Sequence, residues 1–563
     1  MPGIGALRTY RRAWLAKDIG AGLALTAILV PTGMGYAAAA GLPVIYGLYA
    51  TIVPLVAYAV FGPSRILILG PDSALVALIA ATILPIAGGD ADRAVALASM
   101  LAVLSGFLCI LAGLARFGFI TDLLSKPIRY GYLNGIALTV LIGQLPKILG
   151  FTAGTTNLLE ETSGLVRGVL DGRTNGTTLA IGVSCLLVIL GLRRWVPRFP
   201  GVLVAVIGAT LAVSGFDLAA TAGIAVVGPM PEGLPGFRIP ALSSDEVRTL
   251  VAGAVAIALV SFADTSVLSR TFALRNGYRV DSNREFIALG IANVATGLFQ
   301  GFPVSSSATR TPVAESAGAK TQVTGVVGAL CIASLLIYAP SLLTNLPSAA
   351  LGAVVIAACV SLVDIGAVVR LYHLRSSEFA LSIVCFVGVV LLGVVQAIFI
   401  AIGLALLAFI WRAWRPYDAV LGRVDGVKGY HDISRHPEAR CVPGLVLFRW
   451  DAPLFFANAE IFREHVLQAV AQASTPTRWV VVAAEPVTDV DITAADVLAE
   501  LDGELHEAGM DLCFAEMKGP VKDRLKRYGL FTKLGTDNFF PTIGQAVDRY
   551  LALHPVDWRD WDE

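Results

Sequence analysis

The stretch Phe302-Pro-Val-Ser-Ser-Ser-Ala-Thr-Arg-Thr311 opens a short apolar run that ends at Gly318. A matching stretch, Leu69-Gly-Pro-Asp-Ser-Ala74, opens an apolar run to Leu84 in the first half of the chain. Lipid cannot hydrogen-bond free backbone groups, so an interrupted helix at membrane depth is tolerated only where protein or a water-filled cavity satisfies them. Interrupted helices at corresponding positions of two halves are typical of the solute site in secondary transporters. The two stretches therefore predict a binding site for a small solute inside a membrane domain.

The composition is that of a membrane protein. The 563 residues are 56% hydrophobic, with a mean hydropathy of +0.73, which excludes an ordinary soluble enzyme. Before residue 415, fourteen apolar stretches span or nearly span a bilayer. We place them at 19–40, 43–61, 73–87, 94–114, 119–149, 178–193, 200–215, 250–268, 284–299, 308–318, 321–342, 347–364, 377–391 and 393–413. They predict an all-α polytopic membrane domain of about 14 transmembrane helices, whose spacing fits a division into seven plus seven.

The loop charges predict the orientation. Lys and Arg are concentrated in alternate loops, which places the N-terminus and the C-terminal tail in the cytoplasm and the chain in the cell (inner) membrane. No cleavable signal peptide is evident, so we expect the first span to stay in the membrane. The seven cysteines show no paired spacing, which argues against a disulfide framework or a zinc site.

The character of the chain changes after Arg415-Pro416. Two apolar runs, 444–450 and 478–484, read as buried strands, and 492–508 and 520–528 read as helices with a strand at 512–515 between them. This alternation predicts a small α/β domain in an acidic tail. The predicted domains are listed in chain order: a cytoplasmic N-terminus at 1–18, a transport domain at 19–415, a linker at 416–440, the α/β domain at 441–555 and a tail at 556–563.

Several motifs, in the same order along the chain, resemble the SulP family of anion transporters, which includes sulfate permeases and the motor protein prestin. They are Ala27–Ala37 with its internal Pro31, Gly41–Tyr49, Ser64-Arg65, Gly70-Pro-Asp72, Gly228–Pro235, and Arg310 followed by Ala317–Gln322. The tail resembles the STAS domain of that family. The resemblance implies a UraA-like fold of fourteen helices in two inverted repeats, with a core and a gate domain, elevator-type movement of the core, and a homodimer.

The residues of the two interrupted stretches favour an anion. Two helix N-termini that face each other would place partial positive charge and free N–H groups at one point. Ser305, Ser306 and Ser307 add hydroxyl groups and Arg310 adds a full charge, whose cost at membrane depth usually marks function. The resemblance implies that Ser307, Ala308 and Thr309 line the substrate site and that Arg310 helps to bind the anion. Arg310 could instead form a structural pair with Glu315 or Asp72.

Further candidates complete the predicted site. Asp72 and Ser73 belong to the first interrupted stretch, and Thr32 follows the proline of the first span, where the family often has Gln or Glu. Asp264, with Thr265 beside it, is an acid in the last turns of an apolar span, so it is a candidate site for a coupling H+ or Na+. A helix cap or a partner for Arg310 are the alternatives for Asp264.

In the tail, Thr493 aligns with the phosphorylatable position of anti-sigma-factor antagonists, although a plain helix cap is the favoured interpretation for a transporter tail. A basic cluster formed by Lys518, Lys522, Arg524, Lys526 and Arg527 reads as a solvated helix face. A regulatory protein that binds the STAS domain is a further expected partner, and no nucleic-acid partner is expected.

The favoured function is secondary active transport of a small anion, with sulfate first and with H+ or Na+ as the coupling ion. A bicarbonate or dicarboxylate transporter or exchanger is the alternative, and an anion channel or a non-transporting sensor or scaffold represents a different class. Enzyme activity is not expected, because the chain has no phosphate-binding Gly-x-x-x-x-Gly-Lys-Ser/Thr loop and all but one of its six histidines lie in the tail. No cofactor other than the coupling ion is expected.

Overall fold

The computed structural model describes residue 3 and residues 10–118, 126–151, 158–196, 200–231 and 233–560. The chain divides into two compact units, Met1–Ala405 and Leu406–Glu563. The first unit is helical and the second is built around a β-sheet, as the sequence predicts. The predicted N-terminal segment 1–18 and the end of the tail, 561–563, lie wholly or partly outside the described residues.

The helical part has seventeen α-helices and one short pair of strands among its described residues. In chain order they are α1 (Leu15–Ala39), α2 (Ile45–Phe61), β1 (Leu69–Gly70), α3 (Ser73–Ala87), α4 (Ala91–Leu114), α5 (Lys126–Leu149), α6 (Leu158–Leu170), α7 (Gly176–Trp195), α8 (Gly201–Gly215), α9 (Leu218–Thr221), α10 (Ser244–Arg275), α11 (Ser282–Leu298), β2 (Ser305–Ser306), α12 (Arg310–Ser316), α13 (Val323–Tyr338), α14 (Ser348–Val360), α15 (Ile365–Leu374), α16 (Ser376–Leu392) and α17 (Val394–Trp414).

Each of the fourteen predicted spans contains one of these helices, and the extra helices are α6, α9 and α15. In the part of the chain that the structure describes, seven helices are long and apolar enough to cross a membrane. The two interrupted helices are short, as expected. At 1.5 Å per residue, α3 extends roughly 22 Å and α12 roughly 10 Å, against a hydrocarbon core of about 30 Å. Neither can cross the core alone, and their first residues, Ser73 and Arg310, are buried in the protein.

Helix contacts relate the two halves. The second helix of the first half, α2, packs on the fourth helix of the second half, α13, and α11 packs on α4 in the same way. The contact between α4 and α11 is close because glycines face backbone. A Cβ on Gly106 would lie 2.6 Å from the Gly290 carbonyl oxygen, and a Cβ on Gly290 would lie 2.5 Å from the Gly106 carbonyl oxygen. Small residues at helix interfaces are the usual means of such approach in membranes.

Capping residues set where several of these helices begin. Asp72 caps α3 by accepting a hydrogen bond from the Ala74 N–H, at 3.0 Å. Ser243 and Glu246 form a capping box at the start of α10, the longest helix in the described ranges. Gly88, in the left-handed conformation with φ 61°, ends α3. These caps fix the ends of the helices that carry the polar residues described below.

The second unit contains a six-stranded sheet of order β4-β3-β5-β6-β7-β8, in which β5 to β8 are parallel and β3 pairs antiparallel with both β4 and β5. Its elements are β3 (Asp418–Arg423), β4 (Tyr430–Asp432), β5 (Leu445–Trp450), α18 (Ala459–Ala471), β6 (Trp479–Ala483), α19 (Ile492–Glu507), β7 (Asp511–Ala515), α20 (Gly519–Arg527), α21 (Leu530–Lys533), β8 (Phe539–Phe540) and α22 (Ile543–Leu553). The helices cover the apolar sheet, as expected for an α/β domain.

The segment 416–440 is not a free linker, because it contributes β3 and β4 to the sheet. The predicted tail, 556–563, is also part of the domain over its described residues. Val556 and Trp558 pack on one face of the sheet, and Asp560 pairs with Arg423 of β3 at 2.7 Å. Both strands of this segment were missed: β3 has a charged residue at each end and only four residues between them, and β4 has only three residues, of which two are polar.

Candidate functional site

The two interrupted segments meet directly. β1 and β2 pair antiparallel, with Leu69 opposite Ser306 and Gly70 opposite Ser305. The Ser307 N–H extends this pairing by donating to the Ile68 carbonyl at 3.0 Å. Because α3 and α12 start only a few residues beyond these strands, both helix N-termini lie at the same place. The predicted juxtaposition of the two broken helices is therefore present.

Two buried amides hold the extended backbone that leads into this crossing. Asn293 of α11 donates to the Val304 carbonyl at 3.0 Å and accepts from the Val304 N–H at 2.8 Å. Gln322 does the equivalent for the other half, donating to the carbonyls of Ser64 and Leu67 at 2.9 and 2.8 Å. These amides replace the water that extended backbone would otherwise need. Asn293 was not predicted to take part, and Gln322 stood only as the last residue of a family motif; the usable signal was an isolated amide next to each apolar run.

Arg310 is buried at the crossing, with 1% of its surface exposed. Its Nη2 donates to the Pro71 carbonyl, whereas Nε and Nη1 have no hydrogen-bond partner among the described residues. Of the two alternative pairings, the one with Glu315 is wrong, because Glu315 accepts from Asn276 at 2.8 Å and lies 3.8 Å from Arg275. Asp72 interacts electrostatically with Arg310, but it accepts its hydrogen bond from the Ala74 N–H. A buried guanidinium with unused donors can bind an anion.

Gly70 makes room for this arginine. A Cβ at Gly70 would lie 2.8 Å from Arg310 Nη1, closer than real contacts allow. Gly70 of the first interrupted segment therefore leaves space for the charged side chain of the second. Gly70 was noted only as part of a motif, because its contact with Arg310 depends on the fold.

Hydroxyl groups surround the same point. Ser307 Oγ accepts from the Arg310 N–H and lies 3.2 Å from Thr309 Oγ1, while Ser306 Oγ accepts from Thr265 at 3.1 Å. The serines are buried, whereas Ala308 and Thr309 are exposed. The site is thus exposed at Ala308 and Thr309, two of the three residues that the resemblance assigned to the substrate site.

Asp264 of α10 is nearly buried, with 8% of its surface exposed. Its Oδ1 lies 3.3 Å from Nη2 of Arg129, the fourth residue of α5, and has no hydrogen-bond partner among the described groups. The structure therefore gives Asp264 a cation partner other than the expected Arg310. Arg129 was missed, although an arginine inside the predicted span 119–149 was a usable signal.

The remaining candidates of the membrane domain occupy the neighbouring helices. Ser73 is the buried first residue of α3, behind its cap Asp72. The Thr32 hydroxyl donates to the Ile28 carbonyl of its own helix at 2.6 Å, so it is used within α1. One turn further along α1, Tyr36 is buried close to Ser73, Asp72 and Arg310. Tyr36 lies in the Ala27–Ala37 motif but was not predicted to belong to the site.

In the second unit, Asp491 rather than Thr493 caps α19, accepting from the Ala494 N–H at 2.8 Å. Thr493 is exposed in the first turn. The basic cluster is partly paired, because Arg524 contacts Asp489 and Lys518 lies 3.3 Å from Glu485. Among the described residues no group of three His, Cys, Asp or Glu side chains could hold a metal ion.

A multi-pass helical domain with a guanidinium and hydroxyls where two broken helices meet belongs to the class of membrane solute transporters. Comparison with family models gives the particular family. The model described as the sulfate permease family matches residues 15–385, and the STAS domain model matches residues 436–546. The chain therefore belongs to the sulfate permease family, carries a C-terminal STAS domain and is a transporter rather than an enzyme.

Individual relatives agree with this assignment. A probable sulfate transporter of Mycobacterium tuberculosis is 40% identical over 549 residues, covering 98% of each chain. Sulfate transporter 4.1 of Arabidopsis thaliana, a chloroplastic protein, is 29% identical, covering 96% of this chain and 81% of the relative. The fold is similar to that of the murine anion transporter Slc26a9 in its inward-facing state, with a TM-score of 0.91 at 22% identity, covering 98% and 94% of the two chains.

Proposed function

We propose that the chain is a secondary active transporter that takes sulfate across the membrane by H+- or Na+-coupled symport. The observation that carries the proposal is the buried Arg310, whose Nε and Nη1 are unused beside two helix N-termini and the hydroxyls of Ser307 and Thr309. Such a site attracts a small oxyanion through charge and N–H donors. The 40% identity to a probable sulfate transporter favours sulfate over other anions.

Asp264 is the proposed ion-coupling residue, with Thr265 next to it. When ionised, the carboxylate pairs with Arg129 of α5; when it takes up a proton or faces Na+, that attraction weakens. Thr265 of α10 donates a hydrogen bond to Ser306 of β2, so Asp264, its neighbour in sequence, lies close to the proposed anion site. We propose that this pairing couples ion binding to an elevator-type movement of the helices around α3 and α12.

The proposal extends to the cellular setting. Both termini are assigned to the cytoplasm of a cell (inner) membrane protein, and the working unit is assigned as a homodimer. The STAS domain is the proposed docking place for a regulatory protein. The exposed Thr493 at the start of α19 is the proposed phosphorylation site, since phosphate there would meet the helix N-terminus.

The test is uptake of labelled sulfate into proteoliposomes under four conditions, with an inward proton gradient, an inward sodium gradient, both and neither. Sulfate uptake that saturates and rises with one gradient supports symport and identifies the ion. Uptake that responds instead to bicarbonate or fumarate inside the vesicles would support the exchanger alternative. A flux that never saturates would indicate a channel, and no flux of any anion would favour a sensor or scaffold.

A further inference from the structure

A separate cavity lies away from the broken-helix site. It has a volume of about 300 Å³ and is lined by the turn between α1 and α2, the end of α5, the segment 226–231 and the start of α14. None of its lining residues belongs to β1, β2, α3 or α12. Its lining is apolar except for Lys147 and Ser348, so these two side chains determine what it can bind.

Lys147 places a positive charge in this cavity. Its Nζ donates one hydrogen bond to the Ala38 carbonyl at 2.8 Å, which leaves two of the three ammonium donors of a lysine for another partner. Lys147 lies eighteen positions after Arg129 on α5, which is roughly 27 Å along a helix at 1.5 Å per residue. Lys147 and Arg129 therefore belong to different places on α5.

The backbone around the cavity adds to this charge. Val44 and Ile45 lie at the N-terminus of α2, and Ser348 lies at that of α14; neither helix has a side-chain cap. Several first-turn N–H groups are used by backbone carbonyls, since Ser348 donates to Ala225 at 2.9 Å and Tyr46 donates to Pro43 at 3.1 Å. What these helix ends add is therefore mainly the partial positive charge of the helix dipole. Two such termini beside an ammonium group favour a small anion.

One carboxylate limits how strongly an anion is held. Glu161 of α6 lies beside Gly143 of α5, one turn before Lys147, and interacts electrostatically with Lys147. The Glu161 carboxylate partly neutralises the charge of Lys147 when no anion is bound. An incoming anion must compete with it, so the site is expected to be weaker than the site at Arg310.

We propose that the Lys147 cavity is a second anion-binding site, separate from the transport site, which holds a small oxyanion such as sulfate between Lys147, the Ser348 hydroxyl and the two helix N-termini. The proposal takes the ligand class from the proposed function but does not depend on Arg310 or on coupling.

The test is equilibrium dialysis of the purified full-length protein against labelled sulfate up to tens of millimolar. We expect two sites per chain in the wild type, and one in either Lys147→Met or Arg310→Gln. Lys126→Met, which removes an exposed lysine at the other end of the same helix, should keep two, as should Lys147→Arg. Elution as a single species in size exclusion and an unchanged unfolding temperature confirm that Lys147→Met is folded.

The outcomes separate this proposal from the proposed function. A wild type with only an Arg310-dependent site, or a second site that survives Lys147→Met, overturns the inference and leaves sulfate transport standing. A wild type with only a Lys147-dependent site would support the inference and contradict the Arg310 site of the proposed function. Glu161→Gln removes the competing carboxylate and should lower the dissociation constant of the Lys147 site several-fold; an unchanged value would place the ligand elsewhere.

Discussion

Arg129 of α5 and Asp264 of α10 form an ion pair across the membrane domain, with 3.3 Å between Nη2 and Oδ1. The Asp264 side chain is 12% exposed and the Arg129 side chain 29%, so the carboxylate is nearly buried and its partner is half-buried. Removal of one member of a buried pair leaves the other without compensation, which is more damaging than replacing both. The predictions for this pair follow from the difference between removing one of the two charges and removing both.

Asp264→Asn should abolish gradient-driven sulfate uptake, because an amide neither titrates nor carries the charge that attracts Arg129. Binding of sulfate at Arg310 should remain within a few-fold of wild type, since Asp264 is not among the hydrogen-bond partners of that site. Uptake in proteoliposomes and equilibrium dialysis measure the two quantities. Full retention of driven uptake would exclude the coupling role.

Arg129→Gln should also weaken driven uptake, by at least about tenfold, because it leaves the Asp264 carboxylate without its cation partner. A tenfold effect corresponds to about 1.4 kcal/mol. The double variant Asp264→Asn/Arg129→Gln should be better folded than Arg129→Gln alone, because it buries no unpaired charge. Unfolding temperatures of the three variants measure this. Additive losses of stability in the double variant would show that the two residues do not act as a pair.

Arg310→Gln should weaken sulfate binding at the broken-helix site by about 10- to 100-fold, since hydrogen bonds to charged groups contribute about 1.5–3 kcal/mol. Arg310→Lys keeps the charge but not the planar fork, so it should recover only part of the affinity. Arg275→Gln is the control, as it removes an exposed arginine at the end of α10. Equal affinity in Arg310→Gln and Arg275→Gln would contradict the assigned site.

Gly70→Ala should displace the Arg310 guanidinium, because the added methyl group would lie 2.8 Å from Nη1. We expect weaker sulfate binding with a nearly normal fold. Gly277→Ala is the matched control, since Gly277 also has a positive φ, 70°, but a Cβ there meets nothing within 4 Å. If Gly70→Ala binds sulfate like Gly277→Ala, the packing of Gly70 on Arg310 has no part in the site.

Asp432 provides a pH-dependent test in the STAS domain. Burial raises the pKa of Asp432, but hydrogen bonds from Tyr417 and Ser434 outweigh it and hold the pKa below its ordinary value. A lowered folded-state pKa stabilises the protein above the unfolded pKa of about 3.9, and this stabilisation is lost as the pH falls through the folded value. Asp432→Asn should therefore lower the unfolding temperature at neutral pH, and the difference should shrink below about pH 4.

The control for that measurement is Glu507→Gln, which changes an exposed acid at the end of α19. It should match the wild type throughout. A pH-independent difference between Asp432→Asn and the wild type would show that packing, and not the titrating carboxylate, joins β4 to the rest of the sheet.

Much of the architecture could be predicted because it rests on local signals. Hydropathy located the fourteen helical spans, and the Pro, Gly and hydroxyl residues before α3 and α12 marked the interruptions. Alternation of apolar runs revealed the α/β domain. The edge strand β4 was missed because Tyr430–Asp432 is short and polar, so nothing in its pattern distinguishes it from a linker.

The site was predicted less completely because its partners are distant in sequence. Ser307, Thr309 and Arg310 were found through their shared segment, but Asn293 and Gln322 act on backbone that only the fold brings near them. The pairing of Asp264 with Arg129 depends on how α5 packs, which no local pattern encodes. Thr32 was a departure from the family pattern, and its hydroxyl bonds within α1.

The most direct test of coupled anion transport is whether sulfate accumulates in proteoliposomes above its external concentration when only an ion gradient supplies the free energy. We expect accumulation under an inward proton or sodium gradient, its collapse when an ionophore removes that gradient, and its loss in Asp264→Asn. Sulfate that merely equilibrates across the membrane, with or without the gradient, would contradict coupled transport.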